Sequence, residues 1–527
     1  MSLRYTLALA ALPFAAPALA QPTVPFTIEI EEAATSNAPA LHSTAHAHDA
    51  GRWLFVTGRT DGLHGLTATP DPFPAQFANG AIVVYDLAVD TRWTASLDGL
   101  PDDLRASLRS QNAQFLQEGS TLYVIGGYGR NAAGANVTFP TLTAIDVPDV
   151  IAAVQSGTPL GPHIRQLVDE RFAVTGGHLV RQGERYQLIG GNRFDGDYLG
   201  GDMVQVYTEA IRSFWLTDDG TTLAITAYEE DIDADNLHRR DLNVAPVVLP
   251  GGELSFGLFG GVFNQFNLPF RTPVRVDAGA HTTYSFEARF GHYTCTTLAM
   301  HDARDNAMHT VFFGGIGQFW FNETSGQVVE DFLVPFIDDI AALSRASDGT
   351  WTETVLAARM PGYYGTNAQF FPSPGLPAWA NGALRLESLP GRTLVGHIHG
   401  GITTQQPHPG WMGGPSQASD EVFAVFVTPQ PVAIDDAPAG GVLALSSPGP
   451  NPTSATARMI LTVARTSDVR VEVFDAVGRR VAVLRDGPAA TGSHAVEVDA
   501  TRLAPGHYLV RAEGAGVAVS QRLSVAR

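Results

Sequence analysis

Short runs of apolar residues that end in a glycine turn recur along the chain. The clearest copy is residues 122–125, Leu-Tyr-Val-Ile, followed by Gly126 and Gly127. Each run is short and β-rich, which is typical of a buried strand, and glycine lets the chain leave that strand through positive φ. The turns lie at Gly58, Gly126, Gly190, Gly260, Gly314 and Gly400. This repetition predicts an array of small sheets, and a β-propeller is the leading architecture.

Six units are expected, and a second repeated signal supports the repeat. The tetrapeptide Asn-Ala-Gln-Phe occurs at residues 112–115 and again at residues 367–370, each time ahead of a glycine pair. Residues 27–31 alternate between apolar and polar, so we expect a strand there that closes the ring by joining the last unit. The interval from Gly314 to Gly400 is long enough to hold another unit, and seven blades are therefore the alternative.

The second half of the first unit carries a further motif. Residues 84–87 read Val-Tyr-Asp-Leu, and Tyr85 is followed by Trp93. Together with the glycine pairs, these aromatic residues resemble kelch repeats over roughly residues 27–428. The resemblance implies four-stranded blades around a central channel, in an all-β propeller that we assign to residues 21–428.

The first twenty residues have the pattern of a signal peptide. Arg4 supplies a positive charge, residues 5–16 are mostly apolar, and Ala18-Leu19-Ala20 forms a cleavage site. The apolar run is too short to span a membrane, and no later segment has the pattern of a span. We therefore predict a signal peptide over residues 1–20 and export to the periplasm.

Composition changes after residue 428. Residues 429–446 are rich in proline, aspartate and glycine, which is typical of a linker. Residues 447–527 contain alternating runs separated by turns at Gly478, Gly487 and Gly506, which predict a small β-sandwich. A plain carbohydrate-binding sandwich is one interpretation of this domain.

Several motifs, in order, indicate a more specific role for the C-terminal domain. They are Pro450-Asn451-Pro452, residues 473–481 with Gly478, residues 503–511 with Gly506 and Tyr508, and residues 522–525. These residues resemble the type IX secretion C-terminal sorting domain, also called the Por secretion tail. The resemblance implies that the secretion machinery is a partner and that the source is a Bacteroidota-like bacterium. It also implies release from the cell or attachment to its surface.

Charge and rare residues exclude several classes of function. A formal net charge of −20 disfavours nucleic acid and anionic lipid surfaces as partners. The 33 basic residues are all arginine, which excludes Schiff-base lysine chemistry and a phosphate-binding P-loop. Cys295 is the single cysteine, which excludes an intramolecular disulfide. A monomer is expected.

Counting back from the glycine turns places polar residues on predicted inner strands, whose side chains approach the channel. The candidate ligand-binding ring takes His48, Gln114, His178, His292 and Gln369 from these strands and His399 from another strand. Imidazoles on several blades could bind a metal, and the alternative is that they hydrogen-bond to one another and to water. A copper-radical oxidase uses histidine, tyrosine and a cysteine–tyrosine crosslink. His292, Tyr293 and Cys295 do not match the order and spacing of its motifs, so copper is not expected.

An acidic stretch is the candidate calcium site. Asp231, Asp233 and Asp235 alternate with other residues, and alternate oxygens in a tight loop suit a hard cation. Asn236 stands where an EF-hand needs glycine, and Leu242 stands where it needs glutamate, so an EF-hand is excluded. A looser surface calcium site is one interpretation, and a solvated acidic loop is the other.

These observations favour a non-enzymatic, extracellular binding or adhesion module whose ligand is a glycan or a surface protein. Export, a repeat scaffold and the lack of a complete catalytic motif support this interpretation. Blade loops and the channel mouth would form the binding face. The alternative is a propeller enzyme that acts on carbohydrates as a sugar oxidase, a mutarotase or a glycan-cleaving enzyme. Its catalytic residues cannot be assigned from the sequence.

Overall fold

Short antiparallel strands are the main secondary structure of this computed structural model, which describes residues 24–65, 71–412, 415–430, 443–446, 448–449, 451–475, 478–514 and 517–526. The predicted signal peptide and Pro450 lie outside the described residues. The chain divides into two compact units between Pro429 and Gln430.

Six sheets of the first unit share one plan of antiparallel neighbours, and we number them 1 to 6. Sheet 1 contains Ala45–Asp49, Arg52–Val56, Ala81–Asp86 and Thr91–Ser96, and sheet 2 contains Gln114–Glu118, Thr121–Ile125, Thr141–Asp146 and Ile164–Val168. Sheet 3 contains His178–Gln182, Arg185–Ile189, Ala210–Asp218 and Leu223–Ile232, and sheet 4 contains Asn243–Val248, Leu254–Phe259, Val274–Asp277 and Ala280–Thr283. Sheet 5 contains Thr296–Asp302, Ala307–Phe313, Asp339–Arg345 and Trp351–Arg359, with Leu384–Arg385 added parallel to its first strand. Sheet 6 contains Gln369–Pro372, Thr393–His399, Val422–Pro429 and Phe26–Glu32.

Smaller elements connect these sheets. The additional strands are Tyr128–Arg130 with Asn136–Thr138, Asn192–Asp195 with Val204–Tyr207, Phe319–Asn322 with Gln327–Glu330, and Tyr363–Thr366 with Ile402–Thr404 and Ser416–Ala418. The α-helices are Asp102–Ser107, Val147–Ser156 and Pro409–Met412. The 3₁₀ turns are Ala75–Phe77, Leu87–Val89, Leu97–Gly99, Gly161–His163, Glu170–Phe172, Leu386–Ser388 and, in the second unit, Ala500–Arg502.

Sheet 6 joins the two ends of the first unit. Phe26–Glu32 runs antiparallel to Val422–Pro429, with Phe26 opposite Pro429 and Glu32 opposite Phe423. Phe26 and Ile28 are buried, whereas Glu29 is exposed, so the strand presents its apolar side to the core. The closing strand predicted at residues 27–31 is therefore confirmed.

Apolar side chains fill the space between neighbouring sheets. Leu54 and Val84 of sheet 1 belong to the same buried cluster as Leu122 and Val124 of sheet 2. The helix Val147–Ser156 adds its own apolar face to this cluster. Such stacking of one sheet on the next, with each sheet kept to four or five strands, is the packing of a propeller. The all-β propeller prediction is confirmed.

The glycine turns lie where one sheet meets the next. Gly190 and Gly191 have φ values of 57° and 84°, and the other glycine pairs have similar values. The Gly191 amide donates to the Arg239 carbonyl at 2.7 Å, so the turn is bonded to the segment that enters sheet 4. A Cβ atom on Gly260 would lie 1.8 Å from the His292 carbonyl oxygen. Glycine is therefore required both for its positive φ and for the close approach of the next sheet.

The second unit is a small sandwich of two sheets around one core. One sheet contains Leu443–Leu445, Thr456–Val463 and Gly492–Asp499, and the other contains Arg480–Ala489, Ser467–Phe474, Gly506–Gly514 and Val517–Val525. The Asn451 side chain donates to the Arg522 carbonyl at 3.0 Å and accepts from the Ser524 amide at 2.8 Å. The Tyr508 hydroxyl donates to the Ala504 carbonyl at 2.7 Å. These motif residues therefore tie the start of the domain to its last strand and fix the turn before Gly506–Gly514.

Candidate functional site

The innermost strand of each sheet is preceded by a dipeptide that faces the central channel. The six dipeptides are His42-Ser43, Gln111-Asn112, Thr175-Gly176, Arg240-Asp241, Tyr293-Thr294 and Thr366-Asn367. All of these residues line one cavity of about 300 Å³, which we call the neck cavity. The second residue of each dipeptide also lines a larger opening of about 880 Å³, which we call the wide mouth. These second residues, the neck ring, therefore separate the two openings.

The neck ring has one backbone conformation throughout. Its residues all have left-handed φ values, from 49° at Thr294 to 69° at Gly176. Each amide from sheet 2 onward donates to the preceding ring carbonyl: Asn112 to Ser43 at 3.2 Å, Gly176 to Asn112 at 3.0 Å, Asp241 to Gly176 at 2.6 Å, Thr294 to Asp241 at 3.2 Å and Asn367 to Thr294 at 2.6 Å. At the seam between sheets 6 and 1, the Gln369 side chain donates to the Thr44 carbonyl at 3.1 Å. The ring therefore holds the sheets in register around the channel.

The glycine turns position the dipeptides. The first residue of each dipeptide pairs with the residue that directly follows the turn, for example His42 with Arg59 and Arg240 with Val262. Because this pairing recurs in every sheet, the side chain of the first residue takes an equivalent place around the neck cavity. What differs between sheets is therefore the chemistry of that side chain.

Aromatic side chains form one wall of the neck cavity. Tyr198 lies 4.7 Å from the His64 ring and 5.4 Å from the Phe73 ring, measured between centroids. Tyr128 and Phe194 extend this wall, with centroids 5.1 Å apart. Burial lowers the pKa of His64, which therefore stays neutral at pH 7. The wall offers flat ring faces to a ligand.

Arg240 and Asp241 form a half-buried ion pair beside that wall. The Arg240 guanidinium lies 5.3 Å from the Phe263 ring centroid, and its Nε donates to the Tyr207 hydroxyl at 3.3 Å. Burial opposes the charge of Arg240, but Asp241, Tyr207 and Tyr198 together outweigh it and hold the pKa of the guanidinium above its usual range. Burial, with Asp241 nearby, also raises the pKa of the Tyr293 phenol. The neck cavity therefore contains a fixed donor, a fixed acceptor and a neutral hydroxyl.

His42 and Ser43 occupy the corresponding position on sheet 1. The His42 Nδ1 atom lies 2.9 Å from the Ser43 hydroxyl, and its Nε2 atom lies 3.6 Å from an Asp61 carboxylate oxygen. Arg59 holds Asp61 in place, with its Nε donating at 2.7 Å. Burial lowers the pKa of His42, although Asp61 offsets part of that effect. The imidazole is therefore neutral and in contact with a hydroxyl.

The predicted ring divides between two environments, and only part of it faces the channel. His48, His178 and Gln369 line the wide mouth, on the other side of the neck ring from the neck cavity. Burial lowers the pKa of His178 to about 4, so it is neutral at pH 7. His46 also reaches this mouth, where its ring lies 4.7 Å from that of Phe115.

His292 and His399 are packed between sheets, Gln114 is buried, and none of the three lines either opening, which corrects the prediction that they face the channel. Gln114 donates to the Asn112 carbonyl at 2.7 Å. His292 is stacked between Phe290 and Phe312, with centroids 5.2 Å and 5.3 Å away. His399 lies 4.9 Å from the Phe55 ring. Neighbouring side chains along extended backbone point to opposite sides, so His292 packs into the core beside Tyr293, which lines the neck cavity.

Cys295 lies at the wide mouth, where it accepts a hydrogen bond from the Asn243 side chain at 3.5 Å. Burial raises the pKa of its thiol to about 12, so the thiol is protonated at pH 7. Among the described residues, no group of three or more histidine, cysteine, aspartate or glutamate side chains is placed to hold a metal ion.

The acidic residues of the calcium candidate contact a histidine. His281 Nδ1 lies 2.6 Å from an Asp231 oxygen, and His281 Nε2 lies 3.0 Å from an Asp233 oxygen. Asp233 also accepts from the Asp235 amide at 3.0 Å and so closes the turn. Burial opposes the charge on His281, but Asp231 and Asp233 outweigh it and raise its pKa. A surface calcium site here stays a prediction.

The sequence prediction missed the neck ring by two residues at Gln114, His178, His292 and Gln369, and by five residues at His48. The repeated tetrapeptide begins at Asn112 and at Asn367, and those asparagines are ring residues, whereas the prediction chose Gln114 and Gln369 from the same tetrapeptides. Asparagine tolerates left-handed φ better than most residues, which was an available signal. The aromatic wall carried no such signal, because loops from separate sheets bring its residues together.

The C-terminal domain was compared with known families, and the Secretion system C-terminal sorting domain family matches residues 450–526. The resemblance seen in the sequence is confirmed for this domain. The match indicates export by type IX secretion to the outer membrane or cell surface. It also implies interaction with the type IX machinery. Within the described residues, no helix is long and apolar enough to cross a membrane.

Solved structures give distant similarities, and no curated protein matches the chain. A protein titled "Structure of YjhT" is 13% identical, with 75% of this chain and 99% of that chain covered and a TM-score of 0.40. An exo-1,5-alpha-L-arabinanase from a bovine ruminal metagenomic library is 11% identical, with 60% and 97% covered and a TM-score of 0.27. A glycoside hydrolase family 43 arabinoxylan arabinofuranohydrolase from Bacillus subtilis, solved with cellotetraose, is 11% identical, with 93% and 95% covered and a TM-score of 0.28. The propeller assignment rests on the six sheets and their ring rather than on these similarities.

Proposed function

We propose that the propeller is an extracellular binding module that holds a small carbohydrate in the neck cavity. At about 300 Å³ the cavity is at the small end of the range for ligand sites, so it suits a short ligand or a chain end. The sorting domain supports an extracellular setting for such binding.

The observation that carries the proposal is the pairing of ring faces with fixed polar groups in one cavity. A sugar presents C–H faces that pack on aromatic rings, and hydroxyls that need both donors and acceptors. Tyr198 and Phe73 supply ring faces, whereas Gln205 and the Arg240–Asp241 pair supply donors and acceptors. The Gln205 amide is itself oriented, because its Nε2 donates to Asn192 at 3.0 Å.

Charge supports a neutral ligand. Asp241 neutralises the Arg240 guanidinium, and Asp61 neutralises Arg59, which packs on the Phe73 ring of the aromatic wall. The formal net charge of −20 also repels polyanions. A neutral sugar is not repelled by the net charge, and it replaces water at the hydrogen-bonding groups without leaving a buried charge unpaired.

A carbohydrate-active enzyme is the second candidate function. Buried titratable groups at one channel mouth favour it, because catalytic groups need perturbed proton affinities. The neck cavity has such groups in His42, His64 and Tyr293.

A glycan array probed with the full-length protein tests the binding proposal. Tyr198→Ala removes a ring face, and we expect at least about a tenfold loss of affinity for any glycan that binds. His48→Ala is the matched control, because His48 lies at the wide mouth, and it should leave binding unchanged. The proposal fails if the array shows no binding, or if the His48 variant alone loses it.

A further inference from the structure

The neck cavity contains a serine in contact with a neutral imidazole, which the binding proposal does not use. Ser43 and His42 are both buried in the cavity wall, 7% and 4% exposed, and both line the cavity. His42 Nδ1 lies 2.9 Å from the Ser43 hydroxyl oxygen, which is hydrogen-bond distance. A hydroxyl within hydrogen-bond reach of an imidazole is the geometry that activates a serine for attack.

A carboxylate faces the opposite side of the imidazole. His42 Nε2 lies 3.6 Å from Asp61 Oδ1, and Nε2 has no hydrogen-bond partner among the described residues. If Nδ1 accepts the serine proton, Nε2 must carry the other proton and direct it towards Asp61. Arg59 holds Asp61 through its Nε at 2.7 Å, so the carboxylate is fixed beside the imidazole. Asp61 would therefore favour the tautomer that the attack needs, and would stabilise the imidazolium that forms.

The Ser43 backbone differs from that of the other ring residues. On sheets 2 to 6 the ring amide donates to the preceding ring carbonyl, for example Asn112 to Ser43 at 3.2 Å. The Ser43 amide has no such acceptor among the described residues, because the ring is open between Asn367 and Ser43. A nucleophile's own N–H is a suitable donor to the oxyanion that forms when the serine attacks a carbonyl. Among the described ring dipeptides, only that of sheet 1 combines a hydroxyl, an imidazole and this open amide.

We propose that Ser43 and His42 are the catalytic residues of a serine ester hydrolase, with Asp61 as the positioning residue. The Ser43 oxygen bonds to the ester carbonyl carbon while its proton moves to His42 Nδ1. The carbon–oxygen bond to the alcohol breaks, and the alcohol leaves with that proton. Water then adds its oxygen to the acyl carbon and gives one proton to His42. The bond from that carbon to the Ser43 oxygen breaks and His42 returns the proton to Ser43, so an ester and water become an acid and an alcohol.

The substrate class is a small ester, and the structure favours an acyl group carried on a sugar hydroxyl. This choice of alcohol rests on the proposed function, since it places the sugar against the Tyr198 wall of the same cavity. The ester chemistry itself depends only on His42 and Ser43. The two claims can therefore fail separately.

The test is covalent labelling of the full-length protein with a fluorophosphonate probe, together with hydrolysis of p-nitrophenyl acetate and a peracetylated monosaccharide. We expect labelling at Ser43 by peptide mass spectrometry. The variants copy residues found at equivalent positions of other sheets. Ser43→Gly introduces the glycine that sheet 3 has at Gly176, and His42→Gln introduces the glutamine that sheet 2 has at Gln111, so both should fold. Ser43→Gly should abolish labelling, and His42→Gln should slow hydrolysis by about a hundredfold or more.

Two controls separate catalysis from folding. His48→Ala at the wide mouth should hydrolyse both esters at the wild-type rate. Asp61→Asn should slow hydrolysis and move the pH midpoint of the rate to lower pH, because the imidazolium loses a neighbouring negative charge. The proposal is overturned if no probe attaches to Ser43, or if Ser43→Gly hydrolyses p-nitrophenyl acetate as fast as wild type. Hydrolysis of that ester without any glycan binding would refute the sugar assignment alone.

Discussion

Acid should destabilise the propeller through its buried histidines, and His292 permits a direct test. Its ring is stacked between Phe290 and Phe312, and burial lowers its pKa to about 4. An unfolded histidine has a pKa of about 6.5, so the unfolded chain binds the proton more tightly. Stability from this residue is therefore fully present above about pH 6.5 and is lost as the pH falls towards about 4. Proton linkage at His292 therefore lowers the free energy of unfolding by about 2 kcal/mol between about pH 7.5 and about pH 5.

The perturbation is His292→Phe, which keeps the aromatic stack and removes the titration. The variant also loses the contact of His292 Nδ1 with the Gly314 carbonyl at 3.1 Å, which costs about 1 kcal/mol at neutral pH. The variant should therefore be less stable than wild type at about pH 7.5 and equal or more stable at about pH 5. Urea unfolding followed by tryptophan fluorescence measures this. All 7 tryptophans lie between residues 53 and 411, so the signal reports the propeller.

A core variant without a titratable group provides the control. Phe313→Leu creates a cavity at a fully buried position, and its destabilisation should be the same at both pH values. The reasoning is refuted if His292→Phe keeps the full wild-type loss of stability on acidification. Other buried histidines should steepen the wild-type curve, because burial lowers the pKa of His46 and His399 to about 3 and that of His309 to about 4.

Two further predictions concern a carboxyl group and the glycine turns. Burial raises the pKa of Asp339 to about 6, and the hydrogen bond from the Phe321 amide at 2.9 Å offsets part of that effect. The folded protein therefore binds this proton more tightly than the unfolded chain, and Asp339 should add about 1 kcal/mol to the free energy of unfolding between about pH 7.5 and about pH 5. Asp339→Asn should remove that gain in the same urea assay, and an unchanged pH slope would contradict the assignment. Gly260→Ala should lower the free energy of unfolding by about 3 kcal/mol or more, because its Cβ would meet the His292 carbonyl. Gly119 has a similar φ but open space around it, so Gly119→Ala should lower the free energy of unfolding by about 1 kcal/mol. Equal losses for the two alanine variants, measured by thermal unfolding, would show that close approach of the next sheet is unimportant.

Much of the fold could be predicted because its turns have a local cause. Gly190 and Gly191 need positive φ, and that need is visible as a repeated pair after an apolar run. The alternation of residues 27–31 likewise identified the closing strand, since one face had to be apolar. Each of these features depends on a few neighbouring residues.

The candidate site was harder to predict because it depends on exact residue positions within each repeat and on loops that are distant in sequence. The glycine turns located the inner strands only approximately, so His292 lies ahead of the strand that begins at Thr296, and both His292 and His399 pack against aromatic rings of the core. Tyr198, Phe73 and Arg240 lie on separate loops, and their approach follows from loop lengths that no local pattern encodes. The contact between His42 and Ser43 depends in turn on the left-handed φ of 55° at Ser43.

Calorimetric titration of the best array glycan into the full-length protein tests the binding proposal most directly. The proposed function predicts one site per propeller, with affinity reduced at least about tenfold in both Tyr198→Ala and Gln205→Ala and unchanged in His48→Ala. Binding that survives both neck-cavity variants, or that His48→Ala alone abolishes, would contradict the assignment of the neck cavity as the binding site.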